Sequence, residues 1–268
     1  MQPPPGILTT ILHHKAKEIE HSMARCSLKE MTRRAAEAPA PRCFVTAIQE
    51  RIGEGKPAVI AELKRASPSK GLIREHYNPA ELASAYAKAG ATCLSVLTDR
   101  EYFKGSDEHL REARSACALP ILRKDFVIHP YQVYEARMIG ADCILLIVAG
   151  LEDKQMQDLA SLAIEQGLDA LVEVHNREEL ERGLMLRTPL IGINNRDLHT
   201  FKTDVQTTID LLIDVFHDRT VVAESGIQTR DDVALMRRHG VNAFLVGEAF
   251  MAAADPGAKL QELFKYVI

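Results

Sequence analysis

The chain has 268 residues, 46% of them hydrophobic, and its 33 basic and 37 acidic side chains leave a net charge of −4. That length suits one α/β domain with a sizeable core, and the charge balance excludes the electrostatic footprint of a nucleic-acid or anionic-membrane binder. Cys26, Cys43, Cys93, Cys117 and Cys143 are odd in number and scattered without a C-x-x-C pair, so neither a disulfide framework nor a zinc ribbon is expected and a reducing, cytoplasmic setting is.

The N-terminus opens on Pro3-Pro4-Pro5 and carries Glu18 and Glu20 among its lysines, unlike a signal h-region or an acid-poor transit peptide, and reads as mature protein. Residues 1–45 are expected to form a helical extension with Leu8, Ile11, Leu12 and Ile19 on roughly one face. Within it His13, His14 and His21 lack the spacing of a helical ligand pair beside a carboxylate and read as solvated. Gly53-Glu54-Gly55-Lys56 precedes a strand and matches neither phosphate-loop nor dinucleotide pattern.

Residues 46–268 then alternate between apolar runs and helix-like segments. Strands are expected near 58–63, 93–97, 120–124, 143–147, 170–174, 190–194, 220–224 and 243–246. The helices between them carry start and stop signals. Asn78-Pro79-Ala80-Glu81 supplies a cap, a proline at the first helical position and a reciprocal glutamate, and the cap spacing recurs at Asn176 to Glu179 and Thr229 to Asp232. Gly90, Gly140, Gly167 and Gly240 each follow a helical segment and precede an apolar run. Strands separated by helices pair in parallel, and eight such units at this length favour a closed (β/α)8 TIM barrel as a single catalytic domain. The longest apolar runs, such as Cys143 to Ala149, fall far short of the roughly 20 residues a bilayer span needs.

The strand tips are charged. Glu62 and Lys64, Lys124, Glu173, Asn194 and Glu224 end five of the apolar runs. Side chains alternate along a strand, so Glu62 shares a face with Lys64, Lys124 with Phe126, and Asn194 with Arg196. If that face is the lumen, all meet at the carboxyl-end mouth, where barrel enzymes keep their active sites. For any single tip, an ion-pair plug of the barrel top is an equal reading; five strands ending this way favour chemistry. The last two loops, Glu224-Ser225-Gly226-Ile227 and Val246-Gly247-Glu248, place small residues where backbone N–H groups reach an anion. A turn glycine explains either loop alone, and both together point to a phosphorylated small molecule.

Several stretches, in order, carry a resemblance: Ala61 to Gly71 (AELKRASPSKG), Ser95 to Asp99, Leu122 to Phe126, Val172 to His175, Ile193 to Leu198, Ala223 to Ile227, and Val246 to Met251. Together they resemble the indole-3-glycerol-phosphate synthase family of tryptophan biosynthesis. The resemblance implies a lyase that closes, decarboxylates and dehydrates 1-(2-carboxyphenylamino)-1-deoxyribulose 5-phosphate to indole-3-glycerol phosphate, without metal or organic cofactor. By residue match, Lys124 is the general acid, Glu173 the principal base, and Glu62 and Glu224 the further glutamates. Lys64 pairs the anthranilate carboxylate, Asn194 orients substrate, and Arg196 supports the phosphate and its loop. Pro68, Phe103, Phe126, Leu145 and Leu198 match the apolar pocket for the aromatic ring. Ser67, Ser225, Gly226, Gly247 and Glu248 match the phosphate site. Glu248 departs from the version with a second small hydroxyl residue; a carboxylate beside a dianion is unfavourable, so its backbone rather than its side chain is expected to make contact. The match also implies a weak association with other tryptophan-pathway enzymes. A Schiff-base aldolase, a sugar-phosphate isomerase on the same barrel and a catalytically inert phosphate-binding barrel are the competing readings.

Overall fold

The computed structural model describes residues 6–198 and 200–265, so the Pro3–Pro5 run lies outside the described residues. Eight strands, β1 (Ala58–Leu63), β2 (Cys93–Leu97), β3 (Ile121–Lys124), β4 (Cys143–Ile147), β5 (Asp169–Val174), β6 (Leu190–Asn194), β7 (Thr220–Glu224) and β8 (Ala243–Val246), pair in parallel in chain order. Ala58 to Ala61 of β1 align with Ala243 to Val246 of β8, which closes the barrel. The chain is a (β/α)8 TIM barrel, as expected, and each strand starts and ends within a residue of its anticipated position.

The cap side chains and turn glycines act as anticipated, although Glu81 makes no reciprocal bond to the Asn78 N–H. Asn78, Asn176 and Thr229 each accept a backbone N–H of the first turn. Gly90 and Gly140 end their helices at φ 93° and 90°, a left-handed conformation that a side chain would strain. Among the described residues no helix is long and apolar enough to cross a membrane.

Alternation along the strands sorts the core into two layers. Val59, Ala61, Leu94, Val96, Val172 and Val246 face outward into the helix layer. Ala58, Ile60, Cys93, Leu122, Cys143, Leu171, Val222 and Ala243 face the lumen. Among the described residues before β1 lie the helices α1 (Ile7–Arg25), α2 (Leu28–Glu37) and α3 (Phe44–Gly53). Phe44, Val45 and Ile48 of α3 pack into the lumen cluster and close its amino end, where Val45 N–H donates to Asp169 Oδ2 at 2.9 Å.

On α1 the buried positions are Ile11, Lys15 and Ile19, one helical turn apart, while Leu8 and Leu12 are half-buried. His13 and His21 are exposed, and the His14 ring meets Tyr102 edge-on at 5.8 Å. The lysine at the centre of this apolar face is explained by its partners. Lys15 Nζ lies 2.9 Å from Asp125 Oδ1, 3.0 Å from Asp99 Oδ2 and 2.5 Å from Glu18 Oε2. Three carboxylates offset the desolvation of one ammonium, and the pairing fastens α1 to the loops after β2 and β3.

Candidate active site

Two residues beyond the lumen core on β1, β3, β5 and β7, the inward positions turn from apolar to charged. Ile60 is followed by Glu62, Leu122 by Lys124, Leu171 by Glu173 and Val222 by Glu224. All the residues singled out above, from Glu62 and Lys64 to Gly247 and Glu248, line one cavity at the carboxyl end of the barrel. Glu62, Glu173 and Glu224 are all nearly inaccessible, at 3%, 3% and 1% exposure, so their charges depend on one another rather than on water.

Lys124 sits at the centre. Its ammonium donates to Glu173 Oε2 at 2.7 Å and to Glu224 Oε2 at 3.0 Å. Burial disfavours its charge, but Glu173, Glu224 and Glu62 outweigh burial and hold its pKa well above the ordinary lysine value. The two glutamates diverge. Burial pushes both up; for Glu173 the attraction of Lys124 and then of His175 wins, and its pKa falls well below the usual carboxylate range. Glu224 lies against a second carboxylate with only Lys124 to offset burial, and is lifted to about 7. Among the described residues no group donates to Glu224 Oε1. One carboxylate therefore stays ionised while its neighbour titrates near neutrality, an arrangement suited to proton exchange.

A second ion pair completes the floor. Lys64 Nζ lies 2.8 Å from Glu62 Oε1, and Ser95 Oγ donates to Glu62 Oε2 at 3.3 Å. Asn194 Nδ2 donates to Glu173 Oε1 at 3.0 Å. Space for these side chains comes from neighbouring strands. A Cβ on Gly192 would overlap Glu224 Oε1, and one on Gly247 would overlap Glu62 Oε1.

Phe126, Leu145, Phe103, Pro68 and Leu198 supply an apolar wall to the same cavity, with the Phe103 and Phe126 rings 6.0 Å apart. The Lys15 anchor holds this wall. Asp99 Oδ1 accepts the N–H groups of Tyr102 and Phe103, and Asp125 Oδ1 accepts that of Phe126. Ile7, Leu8 and Ile11 of α1 add to the lining.

Ser67, Ser225, Gly226, Gly247 and Glu248 line the same cavity. Ser225 and Gly226 are consecutive left-handed residues at φ 63° and 82°, in a turn that lines the cavity. Such a φ is strained for serine. Buried Asn195 holds the turn by donating to the Ser225 carbonyl at 3.1 Å while its Oδ1 accepts from Thr208 N–H and Oγ1. The Glu248 side chain turns to cations: Arg196 Nη2 at 2.8 Å and Lys70 Nζ at 3.1 Å. Arg196 also donates to Ser69 Oγ at 3.3 Å, joining the loops after β1, β6 and β8.

Sequence reasoning missed several contributors. Ser95, Gly192 and Asn195 were visible only as strand or loop residues, although an inward parity marks Ser95 and Gly192 once the lumen face is known. His175, beside Glu173, stood inside a quoted motif without a role. Lys15 carried a signal, a lysine at the centre of an apolar helix face, but nothing in the sequence named its partners.

A family model for indole-3-glycerol phosphate synthase matches residues 8–263. Among solved structures, the tryptophan synthase alpha subunit from Legionella pneumophila superposes with a TM-score of 0.61 at 13% identity, covering 84% of this chain and 97% of that one. An N-acetylmannosamine-6-phosphate 2-epimerase from Clostridium perfringens gives 0.57 at 17%, covering 72% and 87%. A mandelate oxidase variant gives 0.57 at 16%, covering 77% and 71%. At such identities the superpositions show a shared barrel fold and nothing of its chemistry.

Proposed function

The chain belongs to the indole-3-glycerol phosphate synthase family, and from that premise we propose that it catalyses the ring closure of 1-(2-carboxyphenylamino)-1-deoxyribulose 5-phosphate to indole-3-glycerol phosphate, carbon dioxide and water. The observation that carries this reading is the Lys124 ammonium, 2.7 Å from Glu173 and 3.0 Å from Glu224, in a cavity that also holds Lys64, an aromatic wall and the Ser225–Gly226 turn.

The substrate's phosphate rests on Ser67 and on the backbone N–H groups of Ser225, Gly226, Gly247 and Glu248. Arg196, bound to Glu248, braces that end. The aromatic ring lies against Pro68, Phe103, Phe126, Leu145 and Leu198, with its carboxylate toward Lys64. The ring carbon then attacks the ketone, and Lys124 gives its proton to the developing alkoxide. Departure of carbon dioxide restores aromaticity. Loss of the hydroxyl as water then needs a proton donor and an acceptor. Glu173 is the ionised base, and Glu224, near 7, exchanges the proton; Asn194 and Glu62 keep the reacting groups oriented.

A Schiff-base aldolase needs an uncharged lysine as nucleophile. The carboxylates around Lys124 keep it protonated, which disfavours that alternative, and borohydride trapping with substrate tests it through an adduct on Lys124. The decisive assay follows indole absorbance or fluorescence on the carboxyphenylamino substrate. Lys124→Ala is expected to lose about 10²- to 10⁴-fold in turnover; absence of indole product from folded wild type overturns the proposal.

A further inference from the structure

Glu173 is held from three sides. Its Oε2 accepts from Lys124 and its Oε1 from Asn194. On the third side is His175, two residues further along the same strand end, whose Nε2 lies 3.3 Å from Glu173 Oε1. The contact is an ion-pair approach without the alignment of a hydrogen bond. The ring is buried, at 8% side-chain exposure, and Glu173, rather than His175, is among the residues that line the cavity.

The far edge of the ring is fixed. His175 Nδ1 lies 2.9 Å from Glu179 Oε2, which also accepts the His175 backbone N–H at 2.9 Å. Glu179 Oε1 accepts from Asn176 Nδ2 at 2.8 Å, and Asn176 in turn caps the helix Arg177–Leu184. A strand end and a helix start thus clamp one imidazole between two carboxylates.

We infer that His175 is a positioning residue for the reaction proposed above, on which this role rests: clamped by Glu179, it gives Glu173 a fixed cationic neighbour that stays in place when Lys124 turns to the substrate. Once Lys124 hands over its proton, Glu173 loses its principal counter-charge in a site with little water, and an unpaired buried carboxylate is strongly disfavoured. A second cation that takes no part in proton transfer prevents that. The groups facing the ring agree. Burial opposes its charge, but Glu173 and Glu179 together more than offset burial and raise its pKa to about 10. Lys124 repels it only from beyond Glu173, Glu224 lies behind Lys124, Asn194 is neutral, and Arg177 is turned to Asp214 at 3.0 Å.

The test has two arms. Imidazole NMR of the wild type, with the His175 signals assigned by their loss in His175→Gln, is expected to show a ring still doubly protonated up to about pH 8, far above the ordinary histidine value. In Glu173→Gln that titration point is expected to fall. In the indole assay, His175→Gln is expected to lower kcat on the order of tenfold with KM nearly unchanged, and to move the acid limb of kcat upward by about one pH unit, because a carboxylate without its cation takes up a proton sooner. Glu179→Gln, which leaves both partners in place, is expected to move the limb the same way by less, and it serves if His175→Gln does not fold. A ring that titrates at the ordinary value, or unchanged kcat and acid limb in an enzyme that Lys124→Ala silences, overturns the role. If the wild type forms no indole product, the reaction reading falls and takes this role with it.

Discussion

At the amino end of the lumen, Ala58, Cys93, Cys143, Val222 and Ala243 meet Phe44, Val45 and Ile48 of α3 in a buried apolar plug. At the other end β1, β2, β3, β5 and β7 present Glu62, Ser95, Lys124, Glu173 and Glu224 at the cavity. The first arrangement gains free energy from every apolar group removed from water. The second gathers charges whose desolvation their mutual attraction only partly offsets. One end stabilises the barrel, and the other is carried by it for chemistry.

The contrast can be broken from either end. Phe44 is fully buried in the plug, so Phe44→Ala is expected to cost about 3–5 kcal/mol of stability, read as a lower urea midpoint, with kcat per folded molecule unchanged; a kcat that falls in step with stability shows that the ends are coupled. Gly192→Ala probes the mouth. Its new methyl group must displace the Glu224 carboxylate, for an overpacking cost of about 1–3 kcal/mol and a loss of turnover larger than the stability change accounts for. Turnover equal to wild type would mean that Glu224 need not sit against Lys124.

The finest test is pH. Glu224 is lifted from 4.5 to about 7 in the folded protein, so the fold holds this proton more tightly than the unfolded chain does. Its contribution to stability is full below about pH 4.5 and is lost as pH rises through about 7. Glu224→Gln lacks that dependence. The stability of wild type relative to the variant is therefore expected to decline between pH 4.5 and 7 and to level off beyond, in urea melts run across that range. A constant difference would place the Glu224 proton elsewhere.

Much of the barrel was legible because its signals are local. Apolar runs of four to six residues marked β1 to β8, and Asn78, Asn176 and Thr229 marked helix starts through bonds to residues two or three positions on. The convergence of Glu62, Lys124, Glu173 and Glu224 was legible too, since a parallel barrel turns strand parity into a shared direction. Contributors with distant partners were not. Lys15 reaches Asp99 and Asp125, and Asn195 reaches Ser225 and Thr208. For Glu248, nothing in the sequence indicated that Arg196 and Lys70 would pair with its side chain.

The sequence by itself determined the order of elements, the two-sided strands and the set of charged tips, because each is written in spacings of two to four residues. Only the tertiary structure decided which carboxylate stays ionised. Glu173 and Glu224 end similar strands with similar neighbours in sequence, yet one gains Lys124, Asn194 and His175 while the other shares Lys124 and is pressed against Gly192. In a buried site the charge state follows the number and distance of counter-charges, and these are set by strand register and barrel closure.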